Sequence, residues 1–425
     1  MPVQSLALVF FILLAMGMPI YLVLGVTAGT LFGASGQSLM AAAQKILDEL
    51  NSPLLLAVPF FVMAAAFMQR GGIAKALVDA SAAWVGRLRG GLGVVTVLGC
   101  GLFAAICGSS VATAMAMGTI LVPAMIVRGY PAPFALGITA ASGTLGILIP
   151  PSLPLILFAI LADESVPRLF LAGVIPGLLQ CAFFIAFVLI YGRVRQLPAE
   201  PAMPRKEFVK VNLTALPALC LPAIIAIGIY GGYTTATEAS VLAATAALII
   251  ALTFYRGFHW RETFDVVGSS VRSAGTVMII IAMALAFGHW ITESGMAAAL
   301  VRLITDAGVT SWQFLLLVNI LLLVLGMFLE VASVMLITMP ILIPLLKPLG
   351  IDPIHFAIMV TINMELALIT PPVGLNLFVM SSITRRSVGE VIRGVNPYIV
   401  LMVILLLLVT FFPEMTLWLP RAIYG

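Results

Sequence analysis

Residues able to do chemistry are scarce in this chain, so the few present carry information. Glu330 and Glu365 are the only acids well inside apolar stretches long enough to lie in a membrane. A carboxylate there is costly and marks an ion ligand, a proton carrier or a partner for helix N–H groups. Small polar residues are set into the same apolar text. The first half offers Ser109, Ser110, Thr113, Thr144 and Ser152, and the second offers Thr338, Asn363, Thr370 and Asn376. Two proline pairs, Pro150-Pro151 and Pro371-Pro372, interrupt the apolar segments that hold them. In a bilayer every backbone N–H and C=O needs a partner, so a broken helix survives only inside protein or beside a wet cavity. Breaks supply carbonyl oxygens and half-helix C-termini to a small hard cation, and half-helix N-termini to a carboxylate. The chemistry implied is the binding and release of an ion and a small anion. No Walker loop, HExxH or nucleophile constellation occurs, so neither an enzyme nor ATP-driven transport by this chain alone is expected.

The elements that must position these residues are membrane helices. Of the 425 residues, 62% are hydrophobic and only 9% charged, against about 25% charged in ordinary soluble domains. The class is an all-α polytopic membrane protein. A net charge of +4 reads as loop bias and membrane contact, with no nucleic-acid partner. Cys100, Cys107, Cys181 and Cys220 lie in apolar text without metal-type spacing and read as small buried hydrophobes. Met1 to Leu31 has no basic n-region and an apolar run too long for a signal peptide, so it reads as a retained first span with Pro19 inside it.

Further spans are expected at Pro53–Met68, Leu169–Tyr191, Leu213–Tyr230, Ala236–Tyr255, Ala274–Trp290 and Tyr398–Phe412, with broken ones at Pro133–Ala162 and Ile354–Met380. Residues 36–51, 69–89 and 294–308 are amphipathic and suit the membrane surface. Residues 91–127 form two apolar arms separated only by Gly108-Ser109-Ser110, which fits a re-entrant hairpin better than two full crossings, and 314–346 form a second candidate hairpin. His289-Trp290 and Trp418 read as aromatic anchors at span ends.

Aligning the two Pro-Pro pairs exposes an internal repeat with an offset of 221 residues. The same offset puts Gly129 on Gly350 and Pro123 on Pro344, and a two-residue shift lays Gly71–Val78 over Ser294–Val301. The domain reading is a first repeat over 1–192, a polar cytoplasmic linker over 193–212, and a connecting helix with a second repeat over 213–425. With the N-terminus in the cytoplasm and both hairpins re-entrant, 16 of the 21 Lys and Arg fall inside, as the positive-inside rule requires. That count gives nine crossings, a C-terminus outside, and two halves of inverted orientation. The tips then differ, because Ser109 of hairpin 1 corresponds to Glu330 of hairpin 2.

Several stretches also resemble a known family. GSSVATAMAMG (108–118), PAMIVRGY (123–130), GTLGILIPPS (143–152), LFLAGVIPG (169–177), TATEAS (235–240) and NMELALITPPVGLNLF (363–378) are similar to the large membrane subunit of tripartite ATP-independent periplasmic (TRAP) transporters, the DctM-like group. The resemblance covers nearly the whole chain. It implies a secondary transporter of the ion-transporter superfamily and an elevator-type mechanism. The partners implied are a small four-helix membrane subunit and a periplasmic substrate-binding protein. Import into the cell across the bacterial inner membrane would be coupled to Na⁺, with no other cofactor. The substrate implied is an organic acid, with a C4-dicarboxylate favoured. Family sodium sites pair each hairpin tip with the neighbouring break. Carried onto this sequence, the first falls at Ser109, Ser110, Gly146, Ile149 and Ser152, and the second at Glu330, Ser333, Ala367, Thr370 and Val373. Thr113 stands where some members have an acid, and Ala367 where many have Gly. Ser109, Ser110, Thr113, Thr144, Glu330, Asn363 and Asn376 are the candidate substrate contacts. A related carboxylate transporter that needs no binding protein is the alternative. A block made of hairpins and breaks is expected to move past a scaffold, hinged at 36–51 and 294–308.

Overall fold

Helices dominate because most of the chain is apolar and the interruptions are well marked. A computed structural model describes residues 12–13, 16–34, 39–201 and 203–425, and these contain nineteen α-helices and no strand. The first four are α1 (Ile20–Ala34), α2 (Leu39–Leu50), α3 (Ala57–Arg70) and α4 (Ile73–Val85). The first hairpin is α5 (Gly91–Cys107) and α6 (Ser110–Val127). A broken unit follows, α7 (Ala132–Gly143), a 3₁₀ turn over Thr144–Ile147, then α8 (Leu153–Ala162), and the long α9 (Val166–Val194) closes the half.

The chain continues with α10 (Arg205–Tyr230), α11 (Ala236–Ile250), α12 (Thr263–Glu293) and α13 (Met296–Asp306). The second hairpin is α14 (Ser311–Gly326) and α15 (Val331–Leu346), and the second broken unit is α16 (Pro353–Ile369) and α17 (Leu375–Thr384). The last two helices are α18 (Val388–Phe411) and α19 (Glu414–Tyr424). Among the described residues, seven segments are long and apolar enough to cross a membrane, including 166–194, 205–230 and 388–411. Both hairpins and both breaks therefore stand where the sequence puts them. Helix α6 is itself long enough to cross, so length alone does not separate a re-entrant arm from a span.

Local chemistry explains the hairpin turn. Gly108 ends α5 at φ +64°, a left-handed conformation suited to glycine. A β-carbon there would also lie 2.8 Å from the Pro151 carbonyl oxygen. Ser109 then caps α6, accepting from Ala112 N at 3.4 Å. Ser152 caps α8 in the same way, accepting from Leu155 N at 3.4 Å. Short polar caps of this kind satisfy N–H groups that a helix start leaves free.

Helices α1, α3, α10, α11 and α12 form one connected group, in which α3 packs on α11 and α12 and α1 packs on α12. The hairpins, the broken units, α9, α18 and α19 form another. Within the second group the contacts between halves are reciprocal. Helix α6 packs on α17 and α15 on α8, while α7 packs on α18 and α16 on α9. Single residues follow the same rule: Gly137 lies against Gly394, and Ile358 against Gly173. The α7–α18 approach is close because both residues lack a side chain. Gly137→Ala should cost about 1–3 kcal/mol by overpacking, since its β-carbon would enter the Gly394 backbone. A lowered melting temperature of the purified protein checks this, and an unchanged one would refute the close approach.

Four expectations need correction. The stretch 193–212, expected as a polar linker, is partly helical. Helix α9 runs to Val194 and α10 begins at Arg205, because the charged residues Arg205, Lys206 and Lys210 are good helix formers. The remainder is a strap pinned to the base of hairpin 1. Tyr130 Oη donates to Pro198 O at 2.8 Å, Glu200 N donates to Gly86 O at 3.1 Å, and Arg128 pairs with Glu200 at 2.6 Å. Next, the first span is not one helix over its described part: a turn at Met16-Gly17 precedes α1, with Gly17 at φ +78° and Pro19 just before the helix start. Residues 1–11 of that span, and 36–38 of the first hinge, lie outside the described residues. Third, α12 extends well upstream of Ala274. Last, Trp418 sits on the unanticipated α19, which packs on α9.

Candidate functional site: two hairpin tips and two helix breaks around one cavity

The two tips meet at a single cavity of about 60 Å³. Gly108, Ser109 and Ser110 line it from hairpin 1, and Glu330, Val331 and Ala332 from hairpin 2. Leu153, Pro154 and Leu375 line it at the starts of α8 and α17. Four helix N-termini thus converge on one space: α6, α8, α15 and α17. Each carries free N–H groups and the positive end of a helix dipole, roughly half a unit charge. The arrangement attracts an anion. Val58 of α3 and Val277 of α12 close the cavity from the other group of helices.

Each tip is tied to its own break. In the first half Leu153 N donates to Gly108 O at 3.4 Å, and in the second Gly374 N donates to Met327 O at 3.0 Å. Gly146 lies directly against the first tip, where a β-carbon would come 2.5 Å from Ser109 O and 2.7 Å from Thr113 Oγ1. In the second half the corresponding closeness is achieved with the small residue on the other partner: Gly326 accommodates the Ala367 methyl, 2.7 Å from where its own β-carbon would be. Ala367 therefore fits because Gly326 makes room for it.

The polar candidates divide by location. Ser110 faces the cavity and is held from the second half, accepting from Asn376 Nδ2 at 2.8 Å. Asn376 also donates to Ala140 O at 3.1 Å, so it positions the tip and does not line the cavity. Ser109 O accepts from Thr113 Oγ1 at 2.8 Å. Ser152 Oγ donates to Ile147 O within its own break. Thr338 and Thr370 back-bond to Val334 O and Leu366 O of their own helices, at 2.8 and 2.6 Å. Ser333 is buried in the first turn of α15, and Ile149 and Val373 are half-buried at their breaks.

Glu330 is the N-cap residue of α15; its carboxylate lies beside the Ser333 and Ala332 N–H groups of that helix start without closing a well-formed cap hydrogen bond, and it forms no ion pair with a described residue. It is the one charged residue lining the cavity. A carboxylate so placed can hold a cation.

Of the seven candidate substrate contacts, Thr113, Asn376, Thr144 and Asn363 do not line the cavity. Thr144 is fully buried, with Oγ1 3.3 Å from Glu365 Oε2 and accepting from Gln180 Nε2 at 3.1 Å. Asn363 donates to Asn319 O and Oδ1 at 2.8 and 2.9 Å, and Asn319 donates to Thr410 Oγ1 at 3.1 Å. Both belong to buried polar networks that join helices. Gln180, Asn319 and Thr410 were not anticipated. Their signal was available: Gln180 is the only amide in the apolar run Leu169–Tyr191, and such a residue in the membrane needs an internal partner.

A second cavity, about 520 Å³, opens between α8, α12, α15 and the segment Asp48–Leu54. Asp48, Asp163, Glu164 and His289 line it. Burial, with Asp352 and Asp163 nearby, raises the Glu164 carboxyl above its ordinary value.

With seven described helices long and apolar enough to cross a membrane, the chain is a multi-pass helical membrane protein, and its family is one of transporter permeases, not enzymes. The chain belongs to the DctM family, the DctM component of tripartite ATP-independent periplasmic transporters, whose family model matches residues 7–415. It is 42% identical to the C4-dicarboxylate TRAP transporter large permease protein DctM of Pseudomonas aeruginosa, over 91% of each chain. It is 37% identical to the protein of the same name from Vibrio cholerae, over 99% of each chain. A Vibrio cholerae sialic acid TRAP transporter large permease, SiaM, is 32% identical over 97% of each chain. Among solved structures the fold is similar to the Alcanivorax borkumensis YdaH transporter, with a TM-score of 0.63 at 16% identity over 88% of both chains. Membership implies a small membrane subunit and a periplasmic binding protein as partners.

Proposed function

We propose that this chain is the large permease of a sodium-coupled importer of C4-dicarboxylates or closely similar carboxylates. It works in the bacterial inner membrane, with its N-terminus in the cytoplasm and its C-terminus in the periplasm. A periplasmic binding protein delivers the substrate, and a four-helix membrane subunit completes the scaffold. The observation that carries this reading is the convergence of four helix N-termini and one carboxylate, free of any ion pair with a described residue, on a single cavity. The N-termini suit the carboxylates of the substrate. Glu330 and main-chain oxygens at the tips and breaks suit Na⁺, a hard cation that prefers oxygen ligands. A cation at Glu330 offsets the one negative charge that would repel the substrate, so ion and anion favour each other in the site.

Relatives named for C4-dicarboxylates, at 42% and 37% identity, support the substrate class. The two groups of helices support an elevator: the block carrying the tips and breaks moves against α1, α3 and α10–α12, two inverted halves sharing one site. The test is reconstitution in liposomes with the cognate binding protein and small subunit. Uptake of labelled succinate or fumarate should require the binding protein and an inward Na⁺ gradient. Uptake that persists without the binding protein would favour the binding-protein-independent alternative. Uptake driven by a pH gradient and indifferent to Na⁺ would remove the sodium reading.

A further inference from the structure

Thr144 and Glu365 are separated by 221 residues, the offset that superposes the two Pro-Pro pairs. Each stands six residues before the first proline of its own pair, since 150 − 144 = 6 and 371 − 365 = 6. They occupy the same place in their respective halves. Equivalent residues of two similar halves touch only where the halves meet at their common axis. These two do touch, with Thr144 Oγ1 3.3 Å from Glu365 Oε2, and both are fully buried. Gln180 of α9 braces the pair by donating to Thr144 Oγ1 at 3.1 Å, and Thr144 donates in turn to Ala141 O at 2.8 Å.

None of the three side chains lines the cavity between the tips, so none touches the transported anion. Their importance lies in their neighbours along the chain. Thr144 opens the 3₁₀ turn that contains Gly146, and Gly146 lies against Ser109 of the first tip. Glu365 is in the last turns of α16, one of which presents Ala367 to Gly326 of the second hairpin. The contact therefore joins the approach to one break to the approach to the other. The 3.3 Å contact is longer than an ordinary hydroxyl hydrogen bond and shares the Thr144 hydroxyl with Ala141 O, but in a fully buried setting a polar group that loses its partner is costly. A shift of one break is thus passed to the other through few intermediate atoms.

We propose that Thr144 and Glu365, braced by Gln180, are positioning residues that couple the two breaks, so that filling the ion site at one favours filling the site at the other. This rests on the sodium-coupled reading above. Coupling of this kind commonly changes affinity by roughly 5- to 150-fold. It also gives the buried acid Glu365 a role that needs neither contact with substrate nor passage of a proton.

The experiment is the sodium dependence of uptake by the reconstituted full system. The wild-type protein should show a Hill slope approaching about 2, and Thr144→Val and Glu365→Ala should each bring it towards about 1. Glu365→Gln keeps a side-chain donor and acceptor at the axis and should keep the wild-type slope. Thr144→Val is close to isosteric, so it reads the contact even if Glu365→Ala does not fold. Melting temperatures of the purified single and double variants supply a second readout: non-additivity is expected for residues in contact. A sodium-dependent wild type whose slope is unchanged in Thr144→Val, or strictly additive melting shifts, overturns the coupling alone. Sodium-independent uptake by the wild type overturns the transport reading instead.

Discussion

Glu330→Gln should weaken sodium activation of uptake by at least about tenfold, equivalent to ~1.4 kcal/mol, and in the full import cycle should bring the rate close to background. The reasoning is electrostatic. Glu330 is the one charged residue on the cavity wall; only the Ser333 and Ala332 N–H groups of its own helix start face its carboxylate, and it forms no ion pair with a described residue. Its charge is therefore available to a cation, and the amide replacement keeps the shape while removing the charge. The same variant should bind the anion with less dependence on sodium, because the negative charge that the cation offsets is gone. Titration of purified protein with succinate, with and without Na⁺, followed by thermal shift, separates the two effects. Wild-type sodium dependence in Glu330→Gln would exclude the carboxylate as the coupling group.

Gly146→Val should be still more damaging to transport, leaving uptake below about a hundredth of wild type, a loss of ~2.7 kcal/mol or more at about 1.4 kcal/mol per tenfold. The first β-carbon alone would stand 2.5 Å from Ser109 O and 2.7 Å from Thr113 Oγ1. The main chain of the first tip has to retreat, and with it the oxygens proposed for the first ion site. Gly326→Val tests the mirrored place, since its side chain would strike the Ala367 methyl and Met364. The comparison is informative because the halves place their small residue on opposite partners. Loss of transport in both with retained folding supports two working breaks, whereas full activity in Gly146→Val would remove the first site.

Much of this was legible in the residues. The hairpin arms, Gly108 as the turn, both breaks and the amphipathic helix Met296–Asp306 all follow from hydropathy, Gly and Pro placement and short polar caps. These are local signals, and local chemistry answers to them. Other parts were legible only in outline. The polar segment after Val194 reads by composition only as a linker, and Tyr130, Gly86 and Arg128 hold it across the base of hairpin 1. Their distance in sequence gives no hint of that contact. Thr144 and Asn363 had the right chemistry for a binding site and lie in buried networks instead.

By itself the sequence determined the class: a chain of apolar segments with so few charges has to fold as helices in a membrane, because each helix satisfies its own backbone there. It also marked two apolar hairpins and two Pro-Pro breaks, and family motifs narrowed the class to one kind of permease. Only the tertiary structure decided which polar residues meet. Four helix starts converge on one cavity because the second half's α17 packs on the first half's α6 and the first half's α8 on the second half's α15. Glu330 faces that cavity, while Glu365 is drawn to the axis between the halves to meet Thr144. Two acids that both sit in apolar text are sent to different places by packing between distant segments, which no local pattern encodes.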